Sequence, residues 1–419
     1  MISQESVPHP PHSGYARRSP EYRRLLAVLF AVGVAMFAQL YSPQALLPDI
    51  ARDLGISPAR AALMISMSTI GLAVAVLPLS VLADRVGRVR MIWVSLAGAT
   101  LVGALSPFAP FFGLVLAGRV LEGLLLGGVP AVALAYLNEE VHHADAARAA
   151  GVYVAGTTIG GLSGRLIAAP LGELWGWRVG VLSVALVCGA ATVLFALMAP
   201  RSRGFTPGRQ GSARAVLVKL RRAMTPRLGA MYAQGALLMG GFVAVYNFIG
   251  FRLTAPPFNL SPTVAAFVFL GYLAGTVTST LAGGIAARRG RFPTLLASTG
   301  VMAAGVALTL VHALPLVIAG IILTSGGFFA AHAVASGWAG FESAEARTQA
   351  TGLYNVFYYV GSSFFGWAVG LPLHAVGWTG AADLVLALCA AAALTGIVLL
   401  RPRTAGARVS PRVSSGPRS

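Results

Sequence analysis

The sequence predicts an all-α membrane protein of twelve transmembrane helices in two six-helix, pseudo-symmetric bundles. Three observations carry that expectation. Of 419 residues, 56% are hydrophobic and only 11% are charged, whereas a soluble domain carries roughly a quarter charged residues. The apolar residues fall into twelve runs, each near the ~20 residues that a helix needs to cross a bilayer. The last six runs repeat features of the first six at a nearly constant offset.

The runs are 25–47, 61–82, 91–109, 111–137, 148–171, 179–199, 228–250, 264–286, 294–312, 315–340, 350–371 and 379–400. They are too long for strands and do not alternate, and a helix is the one single span that satisfies its own backbone in lipid. The first run begins at Leu25 behind a polar stretch. It is too long for the core of a signal peptide and lacks a clear cleavage site, so it reads as a retained helix. Cys188 and Cys389 both lie inside apolar runs, which implies neither a disulfide framework nor a metal site.

Charge orders these runs. The net charge is +18, from 31 Lys+Arg against 13 Asp+Glu. The cations sit in short loops between apolar runs, which reads as membrane topology rather than a nucleic-acid face. With both termini placed in the cytoplasm, the inner side collects 25 cations and the outer side only Arg52, Arg60, Arg178 and Arg252. The two left over, Arg119 and Arg165, fall within spans. The expected organisation is a cytoplasmic tail (1–24), a first bundle (25–200), a basic linker (201–227), a second bundle (228–400) and a basic tail (401–419).

The repeat crosses the linker. Ala83-Asp84-Arg85-Val86-Gly87-Arg88 answers to Ala286-Ala287-Arg288-Arg289-Gly290-Arg291, and Gly127-Gly128 to Gly326-Gly327. Gly151 and Tyr153 answer to Gly352 and Tyr354, Gly160 to Gly361, and Gly176-Trp177 to Gly377-Trp378, with offsets between 199 and 203 and the order kept. Six spans followed by six in the same orientation is the parallel-repeat pattern of two-halved transporters.

Several stretches resemble one family. Ser80-Val81-Leu82-Ala83-Asp84-Arg85-Val86-Gly87-Arg88 is similar to the inner-loop motif G-x-L-A-D-R-x-G-R of the major facilitator superfamily, with serine in place of the first glycine. Arg119 and Glu122-Gly123 resemble its intramembrane arginine motif. Gly156, Gly160, Gly161 and Gly164 resemble the glycine motif of its drug/proton antiporters, where proline usually stands at the place of Gly161. GTTIGGLSGRL (from Gly156), YNFIGFRL (from Tyr246) and GFFAAHAVASGW (from Gly327) look like its YnfM-like branch, the acriflavine-sensitivity and arabinose-efflux-like transporters. The resemblance covers about residues 20–400 and implies a conformational latch formed by Asp84, Arg85, Gly87 and Arg88. An acid is not needed for topology alone, and the second copy has Ala287 in its place.

An ionisable group inside a span is costly, about 2.5–3.5 kcal/mol on insertion scales, and so marks a functional candidate. Arg119 and Glu122 share one face of span four by their i,i+3 spacing. Arg165 stands about six residues from the expected outer end of span five, roughly 9–10 Å deep. A buried Arg119/Glu122/Arg165 cluster is therefore expected, either as a proton-coupled switch in which Glu122 protonates when its arginine leaves, or as a static ion cluster that fixes packing. His332 is either a proton site or a histidine hydrogen-bonded within the bundle. The glycines Gly156, Gly160, Gly161 and Gly164 are expected to let helices approach closely.

Polar and aromatic positions that could line a cavity are Gln39, Tyr41, Gln44, Tyr153, Tyr246, Asn247, Tyr354, Asn355 and Tyr358. Such a cavity suits a neutral or cationic amphiphile, or a sugar, better than a phosphate ester. The expected function is secondary transport in a bacterial inner membrane: proton-coupled efflux of a drug or metabolite by alternating access. A sugar or metabolite facilitator or symporter is the alternative, and a polytopic membrane enzyme the third. No phosphate-binding G-x-x-x-x-G-K-[ST] loop occurs, which excludes ATP-driven transport by this chain. No cofactor and no nucleic acid are expected; the expected partners are a small-molecule substrate, a proton and the lipid bilayer, with the chain as a monomer.

Overall fold

The computed structural model describes residues 14–204, 218, 220–343 and 346–401. Residues 1–13 of the expected N-terminal tail, most of the linker, the C-terminal tail from 402, and the cations Arg209, Arg214, Lys219, Arg403, Arg408, Arg412 and Arg418 lie outside the described residues.

Among the described residues, twelve long helical segments follow one another. The first bundle comprises α1 (Pro20–Asp53), α2 (Pro58–Val86), α3 (Arg88–Phe108), α4 (Phe112–Glu140), α5 (Ala146–Trp175) and α6 (Trp177–Met198). The second comprises α7 (Pro226–Thr254), α8 (Pro262–Arg289), α9 (Arg291–Leu308), α10 (Leu314–Glu342), α11 (Arg347–Val376) and α12 (Trp378–Leu400). Eleven of these are long and apolar enough to cross a membrane by length and composition alone. The other, α5, has 30 residues but dilutes its apolar content with glycine and carries Arg148, Arg165 and Glu173.

Several helices outrun their apolar runs because polar caps start them early. Ser19, Ser57, Thr225 and Ser261 each accept a backbone N–H three residues on, at 3.1–3.3 Å, and each precedes a proline. A hydroxyl N-cap followed by proline at the first helical position is a strong start signal. It moves the beginning of α2 from the expected 61 to Pro58.

The halves are built alike. Each has its own apolar core, one drawn mainly from α1–α6 and the other mainly from α7–α12. α1 packs along α5 as α7 packs along α11, and α2 along α4 as α8 along α10. The loop glycines also match: Gly87 has φ 93 and ψ 149, and Gly290 has φ 94 and ψ 153. Both turn the chain between two helices in a left-handed conformation that favours glycine.

The α1–α5 contact is a glycine stripe. Gly156, Gly160 and Gly164 lie against the backbones of Phe30, Val34 and Ala38, respectively, so a Cβ at any of them would meet main-chain atoms. Such small-residue seams let helices in lipid approach at backbone distance. The α7–α11 counterpart is Gly361 against the backbone of Ala236. α1 is also interrupted: its α-helix ends at Tyr41, Pro43 cannot donate, and a 3-10 turn (Gln44–Leu46) leads to the helix Leu47–Asp53.

Candidate functional site

The interruption in α1 is where the buried charges converge. Arg119 on α4 is 1% exposed and Glu122 0%. Arg119 Nη1 donates to Glu122 Oε2 at 2.5 Å. Its other donors go to main-chain oxygens: Nε to Met64 O at 2.8 Å, Nη2 to Leu40 O at 2.6 Å and Nη1 to Gln39 O at 3.5 Å. Gln39 and Leu40 sit where Pro43 and the 3-10 turn break the helical ladder, so Arg119 serves carbonyls that the helix itself does not fully satisfy. Glu122 Oε1 is buried without a hydrogen-bond partner. It lies beside the Gln39 amide over Gly103 of α3, where a Cβ would collide with that amide and come within 3.0 Å of Glu122 Oε1. Gly103, which the sequence reading missed, leaves the pair its room.

The expected three-residue cluster does not form. Arg165, 1% exposed, takes different partners. Its Nε donates to Gln44 Oε1 at 2.6 Å, Nη1 to Gly161 O, and Nη2 to the Tyr272 hydroxyl at 3.2 Å. Its guanidinium lies 4.6 Å from the ring centre of Tyr41 and 4.8 Å from those of Phe269 and Tyr272. The two arginines take different parts of the break in α1, Arg119 the carbonyls of Gln39 and Leu40 and Arg165 the side chains of Tyr41 and Gln44; α5 runs on to Trp175, so Arg165 sits ten residues, about 15 Å, from that end. Gly161 also departs from its expected role. A Cβ there would meet only the Arg165 guanidinium, at 3.3 Å, so its small size accommodates Arg165 rather than α1.

From Arg165 a hydrogen-bond chain crosses between the halves. Gln44 Nε2 donates to Asn247 Oδ1 at 2.6 Å, and Asn247 Nδ2 donates to Gly366 O at 3.0 Å. Beside it, the Ser66 hydroxyl donates to Ser363 O at 2.7 Å, and the Thr69 and Ser363 hydroxyls share a bond of 2.6 Å. The Thr263 amide donates to Glu173 Oε2 at 2.8 Å. These contacts lie in the half of the molecule remote from the Asp84 loop. Along the α11 face that meets α2, Gly370, Gly366 and Ser363 are buried, Tyr359 is half-buried, and Asn355, nearest the Asp84 end, is exposed. Among the described residues the two bundles are thus shut at the far end and part toward the Asp84 end. Gln44 and Asn247, expected in a cavity wall, are buried in the closed seam.

The second bundle supplies aromatic rings. His332 Nδ1 and the Tyr354 hydroxyl share a hydrogen bond of 2.9 Å. The His332 ring lies 4.9 Å from that of Tyr358 and 5.8 Å from that of Phe328. The Tyr246 and Ser325 hydroxyls share a bond of 2.6 Å inside this bundle. From the first bundle, Tyr153 is buried with its hydroxyl unpartnered.

At the other end, Asp84 pairs with Arg88 at 2.6 Å. Arg88 in turn pairs with Glu139 of α4 at 2.9 Å, a partner absent from the sequence reading. Arg85 is exposed. These pairs join helices of one bundle only.

Two like bundles that meet at one end and part at the other, around a polar and aromatic interior, define a multi-pass membrane transporter. The chain belongs to the Major Facilitator Superfamily, whose profile it matches over residues 27–258. It is 37% identical over 392 residues to the inner membrane transport protein YnfM of Escherichia coli (strain K12), covering 93% of this chain and 94% of that one. Over 234 residues it is 31% identical to a chloramphenicol resistance protein of Streptomyces lividans, covering 54% of this chain and 57% of that one. Among solved structures it superposes on a mutant form of the nucleoside transporter NupG with a TM-score of 0.75 at 13% identity, covering 90% of this chain and 99% of that one. That last likeness concerns the fold alone.

Proposed function

We propose that the chain is a secondary active transporter of a bacterial inner membrane that exports a small amphiphilic drug or metabolite in exchange for protons, by alternating access. One observation supports this most: the seam between the bundles is hydrogen-bonded at one end and opens along the same helix face toward the other. A carrier needs such a one-sided closure, and its alternative state is the mirror closure. The positive-inside bias puts the open side in the cytoplasm, with both termini there. The resistance protein among the relatives is in keeping with efflux.

Proton coupling falls to Glu122. It is buried, its ion-pair partner among the described residues is Arg119, and one of its oxygens is unpaired. Drawing Arg119 away would leave a carboxylate in a medium that disfavours charge, so it would take up a proton. On this reading the Asp84–Arg88 loop is the latch of the opposite state. His332 and the phenols line the path, and the chain works as a monomer without enzymatic chemistry. The amide and phenol surface also suits a sugar or metabolite facilitator, the second reading.

Reconstituted transport of a cationic dye, a small drug set and a pentose, with and without a pH gradient, tests both. Gradient-driven dye or drug movement that becomes gradient-independent in Glu122→Gln is expected. Unchanged gradient dependence in that variant would remove Glu122 as the carrier. Pentose movement without a gradient would favour the second reading.

A further inference from the structure

We infer that Arg165 is an anion-binding site of the far-end-open state, and that the transported compound is an aromatic monocarboxylate. This deepens the transport reading above and rests on it.

The charge inventory of the interior is the first ground. Arg119 is balanced by Glu122 at 2.5 Å. Arg165 has no carboxylate among the described residues: its acceptors are an amide oxygen, a main-chain carbonyl and a phenol. A buried guanidinium without a counter-ion is costly. Three aromatic faces within 4.8 Å offset that cost through their quadrupoles. Among the described residues, the interior of the transport path thus carries one uncompensated positive charge.

The second ground is who supplies the offset. Tyr41 belongs to the first bundle with Arg165, but Phe269 and Tyr272 belong to the second. Nη2 points across the seam, since it donates to Tyr272. When the bundles part at this end, the guanidinium loses two of its three ring faces and that acceptor, and its free edge faces the new opening. The fork geometry of arginine then matches one carboxylate. A neutral or cationic compound cannot replace what the second bundle withdraws; an anion can. In export, an anion that entered from the Asp84 side would take the place of the withdrawn rings as the far end parts and leave outward from there; closing the aromatic box would return the guanidinium to its rings and reset the site.

The third ground is the shape of the remaining surface. Tyr153 has an unpartnered buried hydroxyl, and Tyr358, His332 and Phe328 form a ring cluster. Flat rings stack on such a surface in offset or edge-on geometry. One cation plus ring faces recognises a flat monoanion, which narrows the amphiphile expected from sequence and changes its sign of charge.

The test uses the full chain in lipid nanodiscs, with spin labels at Phe111→Cys and Val311→Cys, one on each bundle at the far end. The native Cys188 and Cys389 are buried. The ligands are benzoate, benzamide and benzamidine, one ring with three charges. Benzoate alone is expected to raise the share of the longer inter-label distance, about threefold, as a ligand does when it binds one state preferentially. That response should vanish in Arg165→Gln. Tyr272→Phe, which keeps the ring but removes the competing hydroxyl, should respond at lower benzoate concentration. Equal responses to benzamide or benzamidine, a benzoate response surviving in Arg165→Gln, or an unshifted midpoint in Tyr272→Phe would each overturn the anion site. Gln44→Leu, which cuts the seam without ligand, separates the two ideas. If it opens the far end while benzoate does nothing, only the anion site fails. If nothing produces the longer distance, alternating access fails and takes the anion site with it.

Discussion

The two bundles share a backbone plan and divide the chemistry. Among the described residues, the buried charged side chains Arg119, Glu122, Glu140 and Arg165 all belong to the first. The ring-on-ring contacts concentrate in the second, around Phe242, Tyr246, Tyr272, Phe328 and His332. At the repeat offset of 199, Arg119 and Glu122 correspond to Ile318 and Ile321. The seams differ too: three glycines hold α5 on α1, whereas α11 keeps the counterpart of only Gly160, with Phe357 and Phe365 at the matching places. One duplicated scaffold has therefore been specialised, one copy toward ionisable groups held by backbone contacts and the other toward polarisable surface.

The largest break in this contrast is to strand a charge. Glu122→Ala leaves Arg119 buried without its carboxylate and is expected to destabilise the chain by about 3–5 kcal/mol, read from thermal unfolding in detergent. Converting the first bundle to the pattern of the second, with Arg119→Ile and Glu122→Ile together, is expected to cost less than the single change. It removes both charges at once, though it abandons the carbonyls of Gln39, Leu40 and Met64. A double variant worse than the single one would mean that the clamp on those carbonyls outweighs the ion pair.

Next come the seams. Gly160→Ala and Gly361→Ala both push a methyl into a neighbouring backbone and should each cost about 1–3 kcal/mol, as overpacked cores do. Gly151→Ala, whose Cβ would meet nothing within 4 Å, is the control and should be neutral or slightly stabilising. Unequal costs at Gly160 and Gly361 would show that the matched geometry conceals unmatched compliance.

The smallest effect is expected at the surface. Arg178 pairs with Asp53 at 2.7 Å, with side chains 38% and 49% exposed. Arg178→Ala should shift stability by less than about 1 kcal/mol, and less still at high salt. A larger loss would point to the Trp177 ring, over which the guanidinium lies at 4.4 Å.

The sequence is informative wherever a local rule suffices. Apolar run length yields the spans, offset glycines yield the duplication, and i,i+3 spacing joins Arg119 to Glu122. The hydroxyl-proline starts at Ser57 and Ser261 obey an equally local rule, and with it both helices can be started at their caps. Depth and partnership across the seam are not legible in this way. Arg165 reads as too shallow because α5 outlasts its apolar stretch, and two of its three rings come from residues about a hundred positions away. Gln44 and Asn247 are ordinary amides in the sequence. Only the approach of two bundles, set by dozens of weak contacts, makes them neighbours.

The interruption of α1 has one more consequence. Within residues 39–44, Arg119 grips the carbonyls of Gln39 and Leu40, while Arg165 grips Tyr41 and Gln44. A continuous helix would dissipate a tug on one end through its own ladder; here the α-helical ladder stops at Tyr41, inside the gripped stretch. In the proposed transport cycle that stretch would tie the carrier Glu122 to the seam at Gln44, so that a shift at one would be felt at the other.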